Sequence, residues 1–383
     1  MKKRSSTVSK KASLEALLTP NAVAVFGASR TPGKVGHEIL ANLIEGGFNG
    51  TIVPVNPSAD KVLGLACRPD LKGFDGKIDL SIISIPPEYV HAAVEESLTN
   101  GARAICIITA GFKETGSRGA DAEEELARLA ASRGARLLGP NCLGLINPHH
   151  SMNASFAHNM PGPGGISVIS QSGALCTAIL DWAAARKLGL AKLISMGNKA
   201  DLTENDFLTA FAGDEKTRVI VGYLESIKSG DEFLKAAETA SSAKPVVIFK
   251  SGVTQAGSKA ASSHTGSLAG ADMAYGAAFK RTGIIRAETF EQLFDYAMAF
   301  SMQPLPHGPR VAIITNAGGP GIMAADAAEL ADLEVAALDR ASASALMSKL
   351  PASASVANPI DVLGDADPER YTAAVEAALN DDA

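Results

Sequence analysis

His264 is the side chain with the most suggestive surroundings. It stands in "SSHTGSLAG" (Ser262–Gly270), among serines, glycines, a threonine and alanines. Such a stretch has no core into which an imidazole could pack, and no cysteine or second histidine stands nearby to make a metal site. Ser/Gly/Ala-rich sequence predicts a mobile loop, and imidazole is largely neutral and nucleophilic near pH 7. The pattern points to a carrier that takes up a phosphoryl group in one place and releases it in another. A phosphorylated imidazole needs hydrogen-bond donors for its dianion and a carboxylate on its other ring nitrogen. The helix openings at Ser172–Gly173 and Gly318–Gly319 offer the donors. Glu225, in "YLES" at the end of a predicted strand, offers the carboxylate.

A second constellation lies near the N-terminus. In "FGASRTPGKVG", Gly27, Gly33 and Gly36 follow a strand and precede a helix, the position of a nucleotide-binding turn. It is neither GxGxxG nor a Walker A loop. An NAD site would want an acid at the end of the next strand, which instead ends "VNPS" (Val55–Ser58). Arg30 and Lys34 could meet phosphates, which suits NADP or coenzyme A; a glycine turn without any ligand also fits. "SIPPE" (Ser84–Glu88) and "TAGF" (Thr109–Phe112) end later strands at the same edge. Hydrolase GxSxG, HExxH and EF-hand signatures are absent, and His149–His150 reads as solvated loop.

The elements that must position these residues form three α/β blocks. Residues 21–150 alternate short apolar strands ("AVAVFGAS", "TIVPVN", "DLSIISIP", "RAICIITAG", "ARLLGPN") with helices, which implies a parallel sheet covered on both faces. Ligands bind such sheets beyond the carboxyl ends of the strands. "MPGPGG" (Met160–Gly165) breaks the pattern, the alternation restarts, and "QPLPHGP" (Gln303–Pro309) marks another boundary. The expected domains are a tail over residues 1–14, then 15–150, 151–305 and 306–383. The last is too short for a complete doubly wound sheet, so the chain is expected to stop inside a domain or to be completed by another. "ISVISQSGA" (Ile166–Ala174) and "VAIITNAGGPG" (Val311–Gly321) repeat one design, a strand ending in Ser or Thr followed by small residues that open a helix. That is an anion cradle or a plain β–α turn, and its recurrence favours the cradle.

Composition sets the limits. The 383 residues are 46% hydrophobic, with a net charge of −6. No basic field exists to attract nucleic acid. The four cysteines are scattered without CxxC, which suits a reducing cytoplasm rather than a disulfide framework or zinc site. The basic, Ser-rich N-terminus lacks the apolar run of a secretory signal, and no run approaches the ~20 residues that span a bilayer.

The order "NP", "PPE", "TAGF", "GPNCLG", "SQSGAL", "GYLES", "SHTGSLAG", "TNAGGPG" resembles the ADP-forming acyl-CoA synthetases, relatives of succinyl-CoA synthetase, over about residues 15–383. The resemblance implies an α/β chain with a Rossmann-like CoA-binding domain followed by flavodoxin-like, doubly wound ligase domains. It places coenzyme A against Gly27, Ser29, Arg30, Gly33, Lys34, Gly36, Asn56, Pro57, Lys61, Pro86, Thr109 and Gly111. It makes His264 the phosphorylated histidine and Glu225 the acid that steadies it. Ser170, Gln171, Ser172 and Gly173 match one phosphate-holding helix start; Asn316, Gly318 and Gly319 match the next. The implied reaction interconverts acyl-CoA, ADP and phosphate with carboxylic acid, ATP and CoA. No ATP-grasp region is recognisable, so ADP or ATP with Mg2+ would sit on a partner β subunit or on a further C-terminal domain, in a cytoplasmic oligomer. The alternatives are a CoA-binding regulatory or lysine-acetyltransferase-related protein without ligase activity, and an NADP-binding oxidoreductase. Met196–Asn198 and Phe156 are candidates for shaping the acyl pocket.

Overall fold

A computed structural model describes residues 11–254, 256–257 and 272–381. The chain divides into two compact units, Met1–Gln303 and Pro304–Ala383.

Among the described residues the larger unit holds two large sheets. In the first, β1 (Ala22–Phe26), β2 (Thr51–Val55), β5 (Leu80–Ile83), β6 (Ala104–Ile107) and β7 (Arg136–Leu138) run parallel in the order β2-β1-β5-β6-β7. β1, β5 and β6 are buried along their whole length, as their unbroken apolar runs require when helices cover both faces. A parallel bridge from Val55 to Arg68 puts a rudimentary strand outside β2. With it the order becomes that of a Rossmann sheet, and the order reverses between β1 and β5. A small hairpin, β3 (Lys61–Val62) with β4 (Leu65–Ala66), lies between β2 and Arg68 in sequence.

The second sheet contains β10 (Pro163–Ser170), β11 (Leu190–Ser195), β12 (Val219–Leu224), β13 (Val246–Lys250) and β14 (Ile285–Ala287), all parallel. Their order, β14-β13-β12-β10-β11, is that of a flavodoxin-like sheet with its switch point between β10 and β12. An antiparallel hairpin, β8 (Gly144–Asn147) and β9 (Met152–Ser155), extends it beyond β11. The sequence pattern gives no strands here. "GLIN" and "MNAS" are too short to declare themselves, and only pairing with β11 makes them strands. The turn between them carries His149 and His150, read above as solvated. The structure corrects this for His150, whose Nε2 lies 2.8 Å from the Pro20 carbonyl and whose ring meets Phe48 edge-on. His149 is exposed, with Nε2 3.0 Å from the Gly164 carbonyl.

Helix boundaries follow local chemistry. Pro87 occupies the first turn of Pro87–Thr99, where its missing N–H costs nothing. Thr203 and Asp206 form a capping box on Glu204–Ala212. Residues 11–18 are also helical. Helix Ser117–Ser132 follows β6 and carries Glu123 on its buried side.

The smaller unit has two parallel strand pairs, β15 (Arg310–Val311) with β17 (Glu334–Val335) and β16 (Ile314–Thr315) with β18 (Ile360–Asp361). Leu346, Leu350, Ile360, Val362 and Ala374 form its core. Its helix Gly318–Leu330 leaves Ile322, Met323 and Leu330 exposed.

Candidate active site

The switch point of the second sheet is built around Gln171. β10 ends at Ser170, whose hydroxyl donates to the Ser172 carbonyl at 2.9 Å and accepts the Ser172 N–H at 3.0 Å. This turn delivers Ser172 as N-cap of helix Gly173–Ala185, its Oγ accepting the Leu175 N–H at 3.3 Å. The Gln171 side chain then crosses to the end of β12. Its Oε1 accepts the N–H groups of Glu225 at 2.8 Å and Ser226 at 3.0 Å, and its Nε2 donates to the Ser226 carbonyl at 2.8 Å. Glu225 is thereby fixed at the strand end with only 6% of its surface exposed.

Burial shifts the ionisable groups around Glu225. Burial pushes the neighbouring Tyr223 hydroxyl above its ordinary value, and the Glu225 charge adds to this. Lys199 donates to the Ser226 carbonyl at 2.7 Å and to Glu204 at 2.9 Å; burial lowers its pKa although Glu204 and Glu225 oppose the shift. Lys250, the register partner of Leu224, is likewise pushed down by burial, against the pull of Asp272 and Glu225. β13 ends at Lys250, beside Glu225; the described residues run on through 254 and 256–257 and resume at Asp272. His264 lies between these points and outside the described residues.

The smaller unit repeats the turn. Thr315 Oγ1 donates to the Ala317 carbonyl at 2.9 Å and accepts the Ala317 N–H at 3.0 Å, opening helix Gly318–Leu330. The likeness of the two sequence stretches is therefore a likeness of hydrogen bonds. Asn316, Gly318 and Gly319 sit at this helix start, as Gln171, Ser172 and Gly173 do at the other.

In the larger unit a cavity of about 710 Å³ joins the two sheets. Its first-sheet wall is Val35, Ser84–Ile85 and Ile108–Ala110; its second-sheet wall is Gln171–Ala174 and Thr177; Asn141–Leu143 and Phe156 close it. The free N–H groups at the opening of helix Gly173–Ala185 border this space and favour an anion there. Thr109 Oγ1 donates to the Ile85 carbonyl at 2.7 Å and so holds two strand ends together. Of the residues expected from the sequence, Thr109, Gln171, Ser172, Gly173 and Phe156 line this cavity.

The remaining coenzyme candidates occupy the adjoining loops of the first sheet. Gly27 has φ +87°, and a Cβ there would stand 2.4 Å from the Ser84 carbonyl oxygen; a Cβ on Gly36 would stand 1.9 Å from the Gly27 carbonyl oxygen. Glycine is required at both for loop, helix and neighbouring strand to approach this closely. Ser29 Oγ accepts the Thr31 N–H at 3.1 Å, and Glu38 holds the Gly33 N–H at 2.7 Å. Asn56 Nδ2 donates to the Ala28 carbonyl at 2.6 Å, tying the second loop to the first. Arg30, Lys34, Pro57, Lys61 and Pro86 are exposed along this rim, three of them cations suited to phosphate. Gly111 packs against Pro87, with room for a Cβ only 2.8 Å from its ring.

Sequence reasoning missed Asn141, Cys142 and Thr177 in the cavity wall. "GPNCLG" was a signal for two of them, though nothing in it says which side chains face the space. Met196 is wholly buried and Asn198 does not line the cavity. Among the described residues no cluster of His, Cys, Asp and Glu could hold a metal ion, and no helix is long and apolar enough to cross a membrane.

Comparison with known proteins agrees with this geometry. Residues 21–148 match the family described as CoA binding domain, and residues 163–300 match the succinyl-CoA ligase like flavodoxin domain. The chain is 45% identical over 350 residues to an acetate–CoA ligase [ADP-forming] of Methanocaldococcus jannaschii, covering 91% of this chain and 49% of that protein. It is 41% identical over 372 residues to the α subunit of acetate–CoA ligase [ADP-forming] I of Pyrococcus furiosus, covering 96% of this chain and 80% of that subunit. It thus spans about half the length of the first of these relatives and most of the second. A solved structure of the dinucleotide-forming acetyl-coenzyme A synthetase 1 of Ca. Korarchaeum cryptofilum, in complex with phosphate and ADP, superposes with a TM-score of 0.91 at 38% identity, over 96% of this chain and 79% of that one. The two sheets of the larger unit fall within the two matched family models, and the chain belongs to the family of ADP-forming acetate–CoA ligases.

Proposed function

We propose that this chain is the coenzyme A and phosphohistidine part of an ADP-forming acyl-CoA synthetase. The observation that carries the reading is the shared cavity, in which the ligand edge of a Rossmann sheet faces the helix opening whose Gln171 holds Glu225. Its volume lies within the usual range of small-molecule sites. Residues 15–150 form the coenzyme domain in this reading, 151–305 the ligase domain and 306–383 the start of a second one.

The residues present suit coenzyme A. Gly27 and Gly36 let the first loop approach a ligand backbone-first, and Arg30, Lys34 and Lys61 offer charge to phosphates at the rim. The ends of β5 and β6 form the wall on which its thiol arm would lie. Phosphate attacks the thioester carbonyl, the carbon–sulfur bond breaks, and CoA leaves as the thiol beside an acyl phosphate. An imidazole nitrogen of His264 then attacks phosphorus, and the carboxylate departs. Glu225 orients the other ring nitrogen, while the N–H groups of residues 173–174 hold the phosphoryl oxygens. Catalysis here is positioning and charge stabilisation rather than acid–base chemistry. The helix opening at Asn316–Gly319 receives the phosphoryl group on the nucleotide side. ADP with Mg2+ is held by an ATP-grasp partner or domain in a cytoplasmic oligomer, and His264 links the two half-reactions.

The test is direct. The chain incubated with acetyl-CoA and [32P]phosphate should acquire acid-labile, alkali-stable label at His264. The H264N variant should take no label while binding CoA with unaltered affinity. Absence of label in the parent chain, with CoA bound, would overturn the proposal.

A further inference from the structure

Asn198 sits where the two sheets of the larger unit meet, in the turn after β11. Its backbone N–H donates to the Pro140 carbonyl at 2.9 Å. Its side-chain Nδ2 donates to Glu114 at 2.5 Å and to Glu123 at 2.9 Å, and its Oδ1 accepts from Asn141 Nδ2 at 3.3 Å. Each partner holds something further. Glu114 Oε1 accepts the N–H groups of Gly111 at 2.6 Å and Phe112 at 3.2 Å. Glu123 accepts the Lys113 N–H at 3.3 Å. Asn141, in the left-handed region with φ +56°, lines the cavity.

One amide from the second sheet therefore grips two turns of the first sheet. Both turns border the cavity, at Thr109–Ala110 and at Asn141–Leu143. Two carboxylates share a single donor there. Burial tends to raise the Glu114 carboxyl, but Asn198 and the Gly111 and Phe112 N–H groups outweigh it and hold it below its ordinary value. Burial wins at Glu123 and lifts it. Without the shared amide, half-buried Glu114 and buried Glu123 would face each other and the turns they hold would part.

We propose that Asn198, acting through Glu114 and Asn141, is a positioning residue for coenzyme A: it sets the spacing of the Thr109–Phe112 and Gly139–Leu143 turns across the cavity without touching the ligand. This rests on the reading of the cavity as a coenzyme site. The polarity of the contact is decisive. N198D would place a third carboxylate against two, whereas adding E114Q restores a donor to one side of the pair. In that double variant the amide oxygen introduced by E114Q can still accept the Gly111 and Phe112 N–H groups, while its amide nitrogen donates to the carboxylate introduced by N198D.

The experiment is calorimetric titration of the 383-residue chain with CoA, in the parent and in N198A, N198D and E114Q/N198D, with thermal melting of each. If the parent binds no CoA, the functional reading itself fails. Given parent binding, N198A should weaken CoA about tenfold, equivalent to about 1.4 kcal/mol. N198D should weaken it further, and the double variant should regain at least about threefold over N198D, the signature of a direct pair. Parent-like affinity in N198A overturns the proposal. Equal weakness of N198D and the double variant, or unfolding of all three, assigns Asn198 to packing alone and also overturns it.

Discussion

Gln171→Ala isolates the clamp that presents Glu225. The variant deletes three hydrogen bonds between the β10–helix turn and residues 225–226, at 2.8, 3.0 and 2.8 Å. The Ser226 carbonyl keeps Lys199 as a donor, so its loss is small. The N–H groups of Glu225 and Ser226 lose their acceptor in buried surroundings, at about 1 kcal/mol or more each. A destabilisation of about 2–3 kcal/mol follows, which lowers the melting temperature of the larger unit by roughly 3–5 °C. The functional loss should be greater in proportion. With Glu225 in its proposed role, a displacement of its carboxylate by about 1 Å costs on the order of 10²-fold in rate, read as slower incorporation of [32P]phosphate at His264. CoA affinity should change less, because the first-sheet loops are untouched. Q171E divides the clamp: one carboxylate oxygen can take both N–H groups, but the other faces the Ser226 carbonyl, so this variant should fall between the parent and Q171A. A melting temperature within about 1 °C of the parent, together with normal labelling, would refute the clamp as the device that sets Glu225.

Two further perturbations address other parts of the unit. Gly36→Ala drives a Cβ to 1.9 Å from the Gly27 carbonyl oxygen, a backbone atom that cannot yield; overpacking of about 1–3 kcal/mol should appear in calorimetric melting, with CoA binding weakened at least about tenfold. Asp214 accepts from Lys192 at 2.5 Å, and although burial tends to raise its carboxyl, Lys192 and Thr217 hold it below the usual 3.8. A depressed folded-state value means stability that is fully present above pH 3.8 and lost as pH falls through the lowered value. D214N should therefore melt lower at neutral pH and show a shallower acid limb in a pH series of melting curves, and an unchanged acid slope would contradict the assignment.

Much of the fold was legible because parallel sheets write themselves as uninterrupted apolar runs. "AVAVF", "LSII" and "AICI" are buried on both faces and needed no partner to be recognised. The glycine turn was legible for a local reason, since the backbone conformation at Gly27 admits almost nothing else. The doubled Ser/Thr turn was legible because its hydrogen bonds close within three residues. The β8–β9 hairpin was not, because its four-residue strands are stabilised by β11, some forty residues away along the chain. Asn198 drew notice only as a possible pocket residue, and its grip on Glu114, 84 positions earlier, leaves no trace in any local pattern.

The sequence by itself determined the parallel strands of the two sheets and the turns that open helices Gly173–Ala185 and Gly318–Leu330, because each depends on backbone propensity or on apolar spacing within one element. The tertiary structure alone decided that Gln171 holds residues 225–226 and that one cavity is shared by Thr109, Asn141 and Ser172. Those pairings join residues dozens of positions apart. Their geometry is set by how the strand ends of two sheets pack against each other, a balance of buried area and satisfied hydrogen bonds summed over the whole unit.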